Sequence, residues 1–366
     1  MSVTIVLSSF AVYNKGMADD IKKWRVADLF CGIGGFRLGF EKAGFKNFVY
    51  SNDCDKWCKV TYEANFGEGT LDNRFIEKVD LNEIPDVDII LAGFPCQPFS
   101  MAGKMKGFGD RRGYAFFDLT KIIREKRPEV IVLENVKHIV SHDKRRTMET
   151  IRHTLENELG YDMHYKILNA KDYGAPQDRN RMYMVGFKTS VDFKFPEPIA
   201  LDLNIADILE KNEVNESYFL SQKYLEGLKK HKERHKAKGH GFGYEVLDNK
   251  GIAHALVVGS MGRERNLIQD IRRKNFYKEG DNRSTTKNSD GVRKLTAREC
   301  ARLQGFPEDY KSPVSISRAY AQFGNAVAVP VVNAVAKQIK KCLTEKQKKQ
   351  PKVKSLPLVS SEFVKA

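Results

Sequence analysis

The chain has 366 residues, enough for a large domain and a smaller one, and its 41% hydrophobic and 10% aromatic content is that of a folded protein. With 62 Lys and Arg against 47 Asp and Glu, the formal net charge is +15, which favours a polyanionic partner, nucleic acid before an anionic membrane surface. Six cysteines without a Cys-x-x-Cys pair argue against a zinc site or disulfide framework, and no apolar run approaches the roughly 20 residues of a membrane span. The apolar patch at 3–12 lacks a basic leader and is broken by serines, so it does not read as a signal peptide. Residues 1–24 are expected to be an N-terminal extension of a cytoplasmic protein.

From residue 25 to 187, apolar runs alternate with amphipathic stretches. Strands are expected at 25–30, 48–52, 87–92, 129–133 and 182–187, with helices at 36–43, up to 66, at 116–125 and at 145–159. Such alternation predicts a parallel, doubly wound α/β sheet. Pro196 and Pro198 mark a break. The following segment, rich in Lys, Arg, His and Gly, reads as a separate basic domain of short strands and loops. A helix at 295–303 carries Thr296 as its cap with Glu299 three residues on, the capping-box spacing. A last apolar helix is expected at 326–342, then a Lys-rich disordered tail. The expected divisions are therefore 25–190, 191–318, 319–343 and 344–366.

Three constellations carry chemistry. Asp28-Leu-Phe-Cys-Gly-Ile-Gly-Gly-Phe36 joins the first strand to the first helix. It departs from the dinucleotide fingerprint, because Arg37 stands where a third glycine belongs. Its glycines (Gly32, Gly34, Gly35) allow close backbone approach to a ligand, and Asp53 ends the next strand where ribose hydroxyls are gripped. A ligand with ribose and adenine but no pyrophosphate suits this loop better than NAD, and S-adenosylmethionine is such a ligand. Phe94-Pro-Cys-Gln-Pro-Phe-Ser100 sets Cys96 between two prolines after a buried strand, so a thiol is presented on a stiff loop at a strand end. As a lone observation that thiol is equally a nucleophile or a small buried hydrophobe. Glu134 follows another strand on the same sheet edge, and Arg179 and Arg181 alternate before a third, their side chains expected on one face.

Together these blocks resemble the DNA (cytosine-5)-methyltransferase family. Six blocks stand in the family's order: 28–36, 93–100, 134–136, 177–181, 293–307 and 324–327. The resemblance spans about 25–340 and implies an S-adenosylmethionine-dependent Rossmann-like fold with a small, mostly β and loop, target-recognition domain. It implies that Cys96 attacks C6 of a flipped cytosine, that Glu134 protonates N3, and that Arg179, with Arg181, holds the O2 side. For the cofactor it implies Phe30, Gly32, Gly34, Gly35, Asp53, Cys54, Asp80, Leu81, Pro95, Asn325 and Val327, with no metal. Two departures bear on cofactor affinity and leave the chemistry untouched: Asp53 stands where the family usually has Glu, and Cys54 where a large aromatic is common.

The segment 101–113 is the expected mobile loop over the base, with Ser100, Lys104 and Arg112 as DNA contacts. In the recognition segment Gly241, Tyr244, Arg263, Arg265 and Asn266 are the candidates for base-edge or phosphate contact. The resemblance thus implies a monomeric bacterial modification enzyme acting on double-stranded DNA, with a cognate restriction endonuclease as a possible partner. An RNA cytosine methyltransferase and a non-catalytic DNA-binding relative are the competing readings. The sizeable basic segment favours duplex DNA, and intact Cys96, Glu134 and Arg179 disfavour a dead core.

Overall fold

The computed structural model describes residues 23–95, 115–239, 243–258, 264–273 and 275–349. At its centre is a six-stranded sheet in the order β2-β1-β3-β4-β7-β5. Its strands are β1 (Arg25–Leu29), β2 (Asn47–Asn52), β3 (Ile89–Ala92), β4 (Val130–Val136), β5 (Asp162–Asn169) and β7 (Asn180–Phe187). The short β6 (Gln177–Asp178) lies between the last two in sequence and outside this sheet.

Strands β1 to β4 pair in parallel, as the alternation predicts, whereas β7 runs antiparallel to both β4 and β5. The sheet is therefore mixed. The reversal arises because β5, a strand the sequence reading missed, leads into β7 through only a short 3-10 turn (Ala170–Tyr173), too short for a parallel crossover. β5 escaped notice because it is an edge strand: Tyr165, Lys166 and Ile167 are exposed, and no apolar run marks it.

Alternation along the strands builds one core on each face. Val26, Ile89, Leu91, Val130, Val132 and Val185 face one side. They pack there against helix α1 (Gly35–Ala43) and the C-terminal helix. Ala27, Leu29, Ile90, Ile131, Leu133 and Met184 face the other side, against α3 (Ala115–Lys126) and α4 (Arg146–His153). α2 (Lys56–Phe66), capped by Asp55 Oδ1 accepting from Trp57 N at 2.7 Å, follows β2. Helix α4 covers the first half of the span expected at 145–159, and a π-helical turn (Thr154–Glu158) completes it.

The recognition segment differs from the expected strands and loops. Its largest element is α5 (Gln222–Ala237), a helix 16 residues long within the segment read from the sequence as short strands and loops. Ser221 caps it by accepting from Tyr224 N, and Leu225, 1% exposed, seats it against Leu220, Leu267 and Val292. Short strands are present as well: β8 (Ala253–His254) pairs in parallel with β6, and β9 (Leu267–Gln269) pairs antiparallel with β10 (Val292–Lys294). α6 (Ala297–Leu303) begins with the expected capping box. Thr296 Oγ1 accepts from Glu299 N at 3.1 Å, and Glu299 Oε2 accepts from Thr296 N at 2.8 Å.

The helix expected at 326–342 is displaced. α7 (Ile316–Asn325) precedes it, Ala326 takes an extended conformation, and α8 (Val329–Lys349) follows. α8 continues into the Lys-rich stretch, where Lys346 Nζ lies 2.8 Å from Glu129 Oε2. Among the described residues no helix is long and apolar enough to cross a membrane.

Candidate active site at the sheet's C-terminal edge

Parallel strands leave their C-terminal ends on one edge, where loops diverge and a cavity opens. Here that cavity measures about 460 Å³, within the range of small-molecule sites. Phe30, Gly32, Gly35, Asp53, Cys54, Pro95, Glu134, Arg179, Arg181, Asn325 and Val327 all line it, so residues far apart in sequence converge as expected.

On one wall the loop after β1 is held by Asp53. Its Oδ2 accepts from Gly32 N and its Oδ1 from Asp55 N, both at 2.8 Å, while Asn73 Nδ2 donates to its main-chain oxygen at 2.7 Å. Burial raises the Asp53 pKa, and these two N–H donors oppose that rise. Gly34 has φ +80°, and a Cβ there would sit 2.3 Å from the Phe66 ring. A Cβ on Gly35 would lie 2.8 Å from Val327 Cγ2, so the N-terminus of α1 can abut the segment before α8 only as glycine. Gly34 thus shapes the turn from outside the cavity lining. Asp80 and Leu81 also lie outside it. Asp80 is exposed and its Oδ1 closes its own turn by accepting from Asn82 N at 2.9 Å, while Leu81 packs into the core beneath α3.

Beneath this loop Asp28 is fully buried, and neither carboxylate oxygen has a partner at hydrogen-bond geometry. Burial pushes its pKa up to about 8, and Arg37 offsets only part of that cost. As the acid that opens the glycine block, Asp28 is legible in sequence; its isolation in the interior is not.

The opposite wall carries Glu134, at the end of β4 and 8% exposed. Its Oε1 stands 3.2 Å from Arg181 Nε. Burial raises the Glu134 pKa, while Arg181, and then Arg179, pull it down. A carboxyl in this setting can hold a proton and deliver it to a base in the cavity. Neighbouring Asn135 donates from Nδ2 to Phe94 O at 2.9 Å, pinning the segment that leads to the Pro-Cys loop. Phe94 itself is 3% exposed, its ring centroid 5.6 Å from that of Phe116. Asn135 was part of a sequence block without any assigned task; its position after Glu134 was the available signal.

The two arginines both line the cavity, as their alternation leads one to expect, but they are engaged differently. Arg181 turns to Glu134. Arg179 is 2% exposed, and its guanidinium is committed to main-chain oxygens: Leu256 O at 2.7 Å, Gly324 O at 2.9 Å and Ala326 O at 2.8 Å. Burial lowers its pKa to about 9, with Arg181 acting in the same direction and Glu134 against. It lines the cavity mainly as a brace. Gln322, which sequence reasoning missed because α7 was not recognised, braces the cofactor-side wall: it accepts from Thr61 Oγ1 at 3.0 Å and donates to Trp57 O at 2.8 Å.

Cys96, Ser100, Lys104, Arg112, Gly241 and Arg263 lie outside the described residues, and so does the expected mobile loop. Pro95, directly before Cys96, is on the cavity lining. Tyr244 and Arg265 stand in the recognition region, away from the cavity lining. Lys232 Nζ lies 5.0 Å from the Tyr244 ring centroid, and Arg265 is exposed. Asn266, a candidate base reader, is 3% exposed and occupied by the main chain of His254, accepting from its N at 2.9 Å and donating to its O at 3.2 Å.

Against this geometry stand the likenesses to known proteins. A family model described as C-5 cytosine-specific DNA methylase matches residues 24–341. The chain is 47% identical over 322 residues to the Type II methyltransferase M.HpaII of Haemophilus parainfluenzae, covering 87% of this chain and 89% of that one. It is 42% identical over 322 residues to the Type II methyltransferase M.SsoII of Shigella sonnei, covering 87% and 80%. Among solved structures, the S. pombe Dnmt2 methyltransferase superposes with a TM-score of 0.70 at 23% identity, covering 88% of this chain and 99% of that one, a likeness of fold.

Proposed function

The chain belongs to the C-5 cytosine-specific DNA methylases and is a DNA (cytosine-5)-methyltransferase, and from that premise we propose that it methylates a flipped-out cytosine within a specific duplex DNA sequence as the modification half of a restriction–modification system. The observation that supports the mechanism is the buried Glu134, its pKa raised by burial, beside Arg181 and on the same cavity lining as the Asp53-anchored glycine loop.

The residues present fit S-adenosylmethionine. The cavity has the volume, Asp53 offers a carboxylate at its wall, and glycine at 35 lets Val327 close one side. Phe30, Asp53, Asn325 and Val327 would hold it, and when bound it supplies an electrophilic sulfonium methyl for C5. Cys96, the residue after Pro95, would add to C6 as its thiolate while the Glu134 carboxyl gives its proton to N3. The ring then carries an enamine whose nucleophilic carbon is C5, and no bare negative charge develops on it. Once C5 is methylated, loss of the C5 proton to a base, expulsion of the Cys96 thiolate and return of the N3 proton to the Glu134 carboxylate restore the aromatic ring and the starting carboxyl. Arg181, 3.2 Å from Glu134, would meet the same base edge, and Arg179 would position the walls. Neither C5 nor C6 is reachable in a stacked duplex, which is why the base must leave the helix.

Cys96→Ala is expected to abolish transfer of a labelled methyl while leaving DNA affinity intact. Bisulfite sequencing of DNA from cells expressing the wild type should show one methylated sequence context. Retained transfer by the alanine variant would remove Cys96 as nucleophile; unmethylated DNA from the wild type would remove the proposed activity.

A further inference from the structure

Helix α5 presents a row of cations that the site described above does not use. At about 100° per residue, Lys223, Gly227, Lys230, Arg234 and Lys238 fall on one stripe, opposite the face where Leu225 and Leu228 seat the helix. All four cationic side chains are exposed. Some cations of this region are answered: Lys229 lies 2.6 Å from Asp290, and Arg283 and Arg273 pair with Glu226 and Glu216. Among the described residues no carboxylate lies within ion-pair distance of Lys223, Lys230, Arg234 or Lys238. Glu226 and Glu233 flank the stripe at helical spacing from Lys230; Glu226 feels the Lys230 charge but spends its hydrogen bonds on Gln222 and Arg283.

Like charges one turn apart weaken a helix, so a row of unanswered cations is stabilised by an anion that runs alongside it. From Lys223 to Lys238 the rise is roughly 22 Å, at about 1.5 Å per residue. One strand of B-DNA presents a phosphate about every 3.4 Å of axis, so the row can span about six phosphates. We infer that this stripe is a sequence-independent phosphate-binding face that holds duplex DNA beside the target site. Cations on flexible stems, spaced one turn apart along a helix, suit phosphates. The inference rests on the proposed DNA substrate but is tested by binding alone.

The test uses the full chain with Lys223, Lys230, Arg234 and Lys238 replaced together by Gln, a good helix former. A control variant carries Lys46→Gln, Lys78→Gln, Lys166→Gln and Lys194→Gln, four exposed lysines outside α5. Affinity for duplex DNA is measured against salt, for DNA with the methylated sequence and for DNA of equal length without it. The stripe variant should lower the magnitude of the log–log salt slope by about three to four. Its loss of affinity between roughly 50 and 200 mM salt should accordingly be smaller by a factor of about 60 to 250. The ratio of specific to non-specific affinity and kcat at saturating DNA should stay at the wild-type value.

An unchanged slope overturns the inference, and so does an equal fall in the control. A changed specificity ratio would make these residues base readers instead. Loss of binding to anionic phospholipid vesicles with unaltered DNA binding would assign the stripe to a membrane. If the slope falls as expected while wild-type DNA carries no 5-methylcytosine, the proposed function fails and the stripe stands.

Discussion

Glu134 sits between two opposing influences, burial raising its pKa and Arg181 lowering it. A proton donor acts only while protonated, so activity should fall as pH rises through this pKa. Removing the Arg181 cation removes an influence that favours the carboxylate. Arg181→Gln should therefore shift the basic limb of the kcat/KM profile to higher pH, even as the maximum rate drops by about 100-fold or more. A limb that stayed put, or moved down, would separate the two residues functionally. Asp28 is a second carboxyl governed by burial, its pKa pushed up to about 8 with no hydrogen-bond partner. An ordinary aspartate in the unfolded chain titrates near 3.9. The fold thus prefers the neutral acid, and that contribution is complete below about 3.9 and is lost as pH rises through about 8. Thermal melts of Asp28→Asn and wild type from pH 5 to 8 should show the variant gaining on wild type by up to about 1 kcal/mol per pH unit. A constant offset across that range would mean that Asp28 is ionised in the fold.

Among the elements, α6 shows what a sequence displays and what it hides. Its capping box was legible because Thr296 and Glu299 are three residues apart and the pairing is local. Hidden was a buried ion cluster built across segments. Arg293, 0% exposed, donates from Nε to Asp270 Oδ2 at 2.9 Å and from both terminal nitrogens to Glu299 at 2.8 Å. Hydrogen bonds from Arg272 and then Arg293 hold the Asp270 pKa well below the usual carboxylate range. A depressed pKa gives stability that is present above the ordinary value and is lost as pH falls through the folded one. Asp270→Asn should hence cost about 2–3 kcal/mol at pH 7 and flatten the acid limb of the stability curve, read by denaturant melts from pH 7 to 3. An unaltered acid limb would place the pH sensitivity elsewhere. The same distinction explains the other elements. β1, β3 and β4 are buried on both faces and read as apolar runs. β5 is an edge, α5 is mostly charge held by a few apolar side chains, and neither gives such a run. The separation of α7 from α8 did have a local signal, Pro330 in the first turn of α8, where a missing N–H costs nothing.

At the scale of the whole molecule, two side chains of one short segment add directed hydrogen bonds to the apolar cluster that joins the basic segment to the catalytic part. Gln177, 0% exposed, accepts from Leu256 N at 2.8 Å and donates to Leu303 O at 3.1 Å, beside the parallel pairing of Gln177 with Ala253. Arg179 reaches Leu256 O as well, but its other donors go to Gly324 O and Ala326 O, in the wall where Asn325 and Val327 line the cavity. Both residues therefore fix the recognition region, while only Arg179 also fixes the cofactor side. Their division of labour depends on partners about 80 and 145 residues away, which no local pattern reveals. Gln177→Ala and Arg179→Ala should both weaken DNA binding. Only Arg179→Ala should also weaken binding of S-adenosylhomocysteine, by about tenfold for each charge-assisted hydrogen bond that no longer holds the wall in place. Calorimetric titration of each variant with that ligand, in the absence of DNA, separates the two. Equal losses of cofactor affinity would show that the walls move together as one body, and loss in neither would show that Gln322 and Gln304 hold the Phe323 to Ala326 turn without Arg179.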